Sequence, residues 1–101
     1  MKSPHFSKMH SGNSCIVLEG DVDFDSFPKV AERWATKLSL IVTQKIDGLD
    51  ERIWECERNG KKFWLAHDHW FPTISLEPKN AEAAAEIFRI GNEIGAYETR
   101  A

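Results

Sequence analysis

The dipeptide Asn59-Gly60 narrows the possible folds of this chain more than any other pair of residues. It stands between two runs rich in aromatic and β-branched residues. A two-residue type I′ turn needs positive φ at both central positions, and Asn followed by Gly adopts that most readily. With Arg58 and Lys61 closing the turn, Glu57 faces Lys62, Cys56 faces Phe63, Glu55 faces Trp64 and Trp54 faces Leu65. Side chains alternate along a strand, so this register also sorts them by face. One face carries Trp54, Cys56, Phe63 and Leu65. The other carries Ile53, Glu55, Glu57, Lys62, Trp64, Ala66 and Asp68, with Trp70 expected to follow. Opposite charges at Glu57 and Lys62 support this pairing.

The remaining elements fall around the hairpin. Ser14 to Glu19 (SCIVLE) reads as a strand by its β-branched content. Phe27, Val30, Ala31, Trp34 and Leu38 form one stripe of a 3.6-period helix, which Asp25 or Ser26 can cap. Leu40 to Ile46 (LIVTQKI) reads as a strand closed by Asp47-Gly48, with Leu40, Val42 and Ile46 expected in the core. Pro72 interrupts after the hairpin, so Thr73 to Glu77 (TISLE) is placed near a sheet edge. Asn80 caps a helix from Ala81 to about Tyr97, with Ala84, Ile87, Phe88, Gly91, Ile94 and Gly95 along its apolar stripe. The resulting order is β-α-β-β-β-β-α. It describes a single α+β domain over residues 14–101, a largely antiparallel sheet with both helices packed on one face. Residues 1–13 (MKSPHFSKMHSGN) read as a flexible N-terminal arm.

Composition removes several function classes. With 101 residues, 42% hydrophobic and 29% charged, the chain can build one core and is not a disordered segment. Its 16 acidic residues against 13 basic ones give a formal charge of −3, which offers no basic footprint for nucleic acid. No apolar run reaches the length of a membrane span or a secretory signal. A cytoplasmic protein with two reduced, packed thiols, Cys15 and Cys56, is the expectation.

Three constellations suggest chemistry. In GDVDFDSFPKVAE the acids Asp21, Asp23 and Asp25 alternate, with Glu32 twelfth, as in a helix-flanked calcium loop. The sixth place needs Gly for a sharp turn and holds Ser26, and the eighth holds Pro28, which has no N–H to pair with a sister loop. The run is therefore read as an acidic turn, with Val22 and Phe24 pointing inward. His67 and His69 share a strand face and are the candidate metal ligands. Zinc needs three or four ligands, and Cys56 lies about 13 Å away along the strands at ~3.3 Å per residue. The same distance separates Cys56 from either histidine as a nucleophile and base. Glu55 and Glu57 share a face, but Lys62 opposes one of them. No phosphate-binding glycine loop or nucleophile elbow is present, so neither a catalytic residue nor a cofactor is assigned.

The informative feature is the sheet face that the helices leave open. Ile41, Ile53, Trp64, Ala66 and Trp70 are expected there, rimmed by Glu55, Glu57, Lys62 and Asp68. A solvated sheet face should be polar. Aromatic anchors within a charged rim suit a protein interface, with a homodimer or another protein as partner. A non-enzymatic binding module follows as the expected function. A small-ligand or metal site on His67 and His69 is the alternative. The stretch FWLAHDHWFPTISLEP, followed by an alanine-rich helix, resembles small bacterial proteins of unknown function. That resemblance spans residues 54–97 and implies no catalytic residue.

Overall fold

The computed structural model describes residues 4–9, 11–48, 51–68 and 70–98. His69, and residues 1–3 and 10 of the N-terminal arm, lie outside the described residues. The elements in chain order are β1 (His5–Lys8), β2 (Ser14–Glu19), α1 (Phe27–Lys37), β3 (Ile41–Asp47), β4 (Arg52–Arg58), β5 (Lys61–Asp68), β6 (Thr73–Pro78), α2 (Ala81–Glu93) and β7 (Tyr97–Glu98). The strands make one sheet in the order β3-β4-β5-β6-β2-β1-β7. Its first six strands pair antiparallel throughout, and the two-residue β7 adds parallel to β1.

The hairpin turns as its dipeptide requires. Asn59 has φ 53° and Gly60 φ 76°, and every expected pair from Arg58↔Lys61 to Trp54↔Leu65 is formed. Trp54, Cys56, Phe63 and Leu65 are buried on the helix side with Ile16, Leu18, Ile74 and Leu76. Both helices close over that face. Phe27, Ala31, Trp34 and Ala35 descend from α1, and Ala83, Ile87 and Ile90 from α2. The turn is also fastened to α2, because the Asn59 amide donates to Glu86 at 3.4 Å and the Arg58 guanidinium reaches both Glu93 oxygens at 2.8 Å.

Four expectations are corrected. The segment read as an arm contributes β1, paired with β2 from His5↔Val17 to Lys8↔Ser14. Thr73 to Pro78 is an interior strand between β5 and β2, not an edge. Pro72 lies in the preceding turn, where it needs no N–H, and its carbonyl accepts from Val22 N–H at 2.9 Å. Ile46 leaves the core, because a bulge between Val42 and Gln44 shifts the register and turns it toward Ile53. Helix α2 stops at Glu93. Gly95, at φ 72°, lets Ala96 N–H bond back to the Gly91 carbonyl at 2.8 Å, a left-handed stop that ends the helix before Tyr97. Its buried stripe includes Ala83 and Ile90, while Phe88 is half exposed.

The acidic turn also has a specific form. The Asp23 carboxylate accepts from Ser26 N–H at 2.7 Å, and the Ser26 hydroxyl accepts from Asp23 N–H at 3.1 Å. Ser26 is the residue at the N-cap of α1, one of the two the sequence offers, and its hydroxyl is turned back to Asp23 rather than onto a helix N–H. These bonds hold the Asp23 carboxyl below its ordinary range. Asp21, Asp23 and Asp25 are exposed and Val22 is buried, as the alternation predicts.

β1 is held by one close approach. A Cβ at Gly91 would lie 2.2 Å from Phe6 Cζ, so the glycine leaves the notch that the Phe6 ring fills. Gly91→Ala must push that ring out and is expected to cost about 1–3 kcal/mol in urea unfolding. In a Phe6→Ala background the same substitution should be nearly neutral, since residues in contact couple. Additive losses would show that the two do not meet.

Candidate functional site

Six strands carry two parallel rows of side chains across the helix-free face. One row runs Ser7, Cys15, Glu77, Trp64, Glu55, Gln44, from β1 to β3. The next runs His5, Val17, Ser75, Ala66, Ile53, Ile46, with Tyr97 of β7 beside His5. The rows divide the face into two halves of different character.

The β3–β5 half is the apolar one. Ile46, Ile53 and Ala66 are successive cross-strand partners, and Ile41 lies opposite Glu57 on the edge strand. Ile41 is 66% exposed and Ile46 41%. Trp64 sits beside this strip, half-buried, with Lys79 Nζ 5.6 Å from its ring centroid. Lys79 also donates to Glu55 at 2.6 Å, and that bond holds the Glu55 carboxyl below its ordinary value. The structure thus puts Ile41, Ile53, Trp64 and Ala66 of the expected site residues on one face and adds Ile46, with Ile41 at the far end of β3, opposite Glu57. It places Trp70 elsewhere, in the turn between β5 and β6. There Asp68 Oδ1 accepts from the backbone N–H groups of Trp70 and Phe71, at 2.8 and 3.1 Å, and Trp70 is 85% exposed.

The β6–β2–β1 half is hollow. A concavity of about 1100 Å³ lies over Cys15, Val17, Ser75 and Glu77, with Ser7 on one side and Phe71 on the other. Its volume matches that of small-molecule sites. Among the described residues, no hydrogen bond or ion pair reaches the Glu77 carboxylate. Burial raises its pKa from the ordinary 4.5, and the nearby Asp68 charge adds to that. Cys15, the neighbour of Glu77 in the row, is pushed up to about 11 by burial and then by the Glu77 charge. Cys56, on the helix side, is also pushed up to about 11 by burial. Both thiols are free, and neither is a thiolate near neutral pH.

His67 turns away from this face. It projects to the helix side, edge-on to Phe24 and Phe27, where its Nε2 donates to the Val22 carbonyl at 2.6 Å. One ring nitrogen is therefore spent on fastening β5 to the acidic turn, and Nδ1 is buried without a partner. Among the described residues, no group of three or more His, Cys, Asp or Glu side chains is placed to hold a metal ion. The described helices include none long and apolar enough to cross a membrane.

Sequence reading missed the concavity because it left β1 as an arm, and without β1 the hollow has only one wall. The geometry defines a small α+β domain with a single-layer sheet, helices on one side and a half-apolar, half-hollow face on the other. The chain belongs to a family described as a protein of unknown function (DUF3630), which it matches over residues 5–90. That span starts at the first residue of β1, so the strand lies within the family's domain. No curated protein and no solved structure matches the chain.

Two substitutions test these placements. His67→Ala leaves the Val22 carbonyl without its donor and should cost about 1–3 kcal/mol in chemical unfolding, with or without added zinc. A stabilisation by zinc that only wild type shows would instead assign His67 to a metal. Glu77→Gln tests the buried charge. With its folded pKa above its unfolded value, Glu77 binds more protons in the folded state, so its cost grows as pH rises from about 4.5 through the folded pKa. The variant should be more stable than wild type at pH 7 and equal to it below about pH 4. A variant less stable at pH 7 would show that Glu77 has a stabilising partner.

Proposed function

We propose that this protein is a non-enzymatic binding module whose apolar half-face, centred on Ile46, Ile53 and Ala66, docks a protein, first of all a second copy of this chain. The observation that carries this reading is that strip of cross-strand apolar partners on a sheet face with no helix over it. Water over such a strip is unfavourable, and an interface core of apolar side chains flanked by charged ones removes it. Glu55, Lys79, Glu57 and Lys62 supply the flanking charges, and Trp64 the aromatic anchor. A two-fold pairing of the same strip would bury Ile53 against its own copy, the commonest route to a soluble oligomer. The two histidines offer less support for a metal site, because His67 faces the opposite side of the sheet.

Light scattering on a size-exclusion column, run over a concentration series, tests the reading. Wild type should approach twice the chain mass of 11.6 kDa as concentration rises. Ile53→Asp should remain at the chain mass with unchanged far-ultraviolet circular dichroism, and Trp64→Ala should associate more weakly. A wild type that stays monomeric throughout defeats self-association. A dimer that Ile53→Asp leaves intact defeats this face as its interface.

A further inference from the structure

The apolar strip accounts for half of the open face and leaves the hollow half unused. Polar side chains that line the hollow without a side-chain hydrogen bond among the described residues include Ser7 on β1 and Thr73, Ser75 and Glu77 on β6. Ser75 is only 8% exposed, and its hydroxyl is not sealed from the concavity. A hydroxyl buried this far ordinarily finds a partner in its own fold. Glu77 lies two residues along the same strand face, and Ser7 lies across Cys15 in the Glu77 row.

The other half-buried or buried acids nearby are in use. Glu19 is held by Arg33 at 2.8 Å and by the Trp34 indole at 2.9 Å. Glu55 has Lys79 and Glu86 has Asn59, while the exposed Asp68 caps its turn. Glu77 is left as an acceptor with no donor, in a hollow whose other charged groups outside the Glu19–Arg33 pair are Asp21 and Asp68 against Lys8, with His5 on the β1 side. The Cys15 thiol beside it stays neutral and adds no competing charge. A low-dielectric concavity with this balance concentrates cations.

The acceptor set narrows the cation. The acceptors are one carboxylate and, two residues along the same strand face, one hydroxyl, a pair that a compact ammonium can bridge with two of its three donors. Cys15, Val17 and Phe71 supply apolar surface for a short aliphatic stem. We propose that this hollow binds a primary ammonium group on a short aliphatic stem, with Glu77 as counter-ion and Ser75 as a further acceptor. The ammonium belongs to a free amine or to a lysine side chain, and the chemistry is shared. This inference does not rest on the apolar strip being an interface.

Titration calorimetry on the full chain tests it, with cadaverine as the free amine and Nα-acetyl-lysine methylamide as the side-chain probe. Both should bind wild type, and Glu77→Gln should weaken both by on the order of tenfold or more, the usual worth of a hydrogen bond to a charged group. Ser75→Ala should weaken them less. Affinity should fall as pH drops through the folded pKa of Glu77, because protonation removes the counter-ion. Binding by the lysine probe alone would assign the site to a protein side chain, and binding by cadaverine alone to a free amine. Glu77→Gln keeps the shape of the side chain, and unchanged circular dichroism would confirm that it folds. Equal binding by wild type and this variant, or no binding of either probe to wild type, overturns the proposal. Neither result bears on the oligomeric state, so the two readings fail separately.

Discussion

Phe6 against Gly91 decides whether the second half of the open face exists. β1 has four residues and little apolar content, and a strand that short is held by what its side chains reach rather than by its ladder alone. Phe6 points to the helix side and fills the gap that a side chain at position 91 would occupy, with the Phe88 ring 5.6 Å away. Fully burying a ring of this size is worth about 1.5–3 kcal/mol, and the partly buried Phe6 gains a share of that. Once Phe6 is seated, parity turns Ser7 and His5 to the opposite face, where they wall the concavity. A packing contact on one side of the sheet thereby shapes a polar hollow on the other. β7 then adds to β1 through His5↔Tyr97, so the C-terminal strand depends on the same contact.

The hairpin was legible because its information is local. Asn59-Gly60 sets the turn, the turn sets the parity, and parity sorts Trp54, Cys56, Phe63 and Leu65 from Ile53, Glu55, Trp64 and Ala66 without reference to anything distant. Other features depend on contacts far apart in sequence. Gly91 reads as a weak point in an apolar stripe until Phe6, 85 residues earlier, is placed against it. The bulge at Thr43 leaves no mark in LIVTQKI, because alternation over seven residues looks much the same with or without one extra residue. Its effect is to exchange Ile46 from core to open face, which enlarges the apolar strip beyond what sequence parity assigned. Pro72 misled for a related reason: a missing N–H matters only inside a ladder, and the turn places it just outside.

The candidate site divides along the same line. Ile41, Ile53, Trp64 and Ala66 follow from one turn and a two-residue period, so they were visible. The hollow requires three strands brought together, β1, β2 and β6, of which the last two are separated by the whole of α1 and the hairpin. Ser7, Cys15 and Glu77 carry no spacing that links them in sequence. What singles out Glu77 is not its identity but the absence of a donor among the described residues, and that is a tertiary property. His67 shows the converse. Its spacing to His69 suggested a ligand pair, but a carbonyl from the acidic turn had already taken its Nε2.

The two halves of the open face impose opposite energetic demands on one sheet. The Ile46–Ile53–Ala66 strip is improved by losing water, whereas Glu77 is penalised by losing it unless a cation arrives. A partner lying flat over both halves would bury the carboxylate, and an uncompensated charge there would offset much of the gain from the strip. A surface covering the whole face would therefore have to neutralise Glu77, by a cation or by a proton, or else stop at Trp64. Trp64 stands at that boundary, between Glu55 and Glu77 in its row, with Lys79 committed to the Glu55 side. Lys79 already neutralises Glu55, so the charge beside the apolar half is balanced and that of Glu77 is not. The difference between the two halves comes from one lysine pairing with one of two flanking carboxylates.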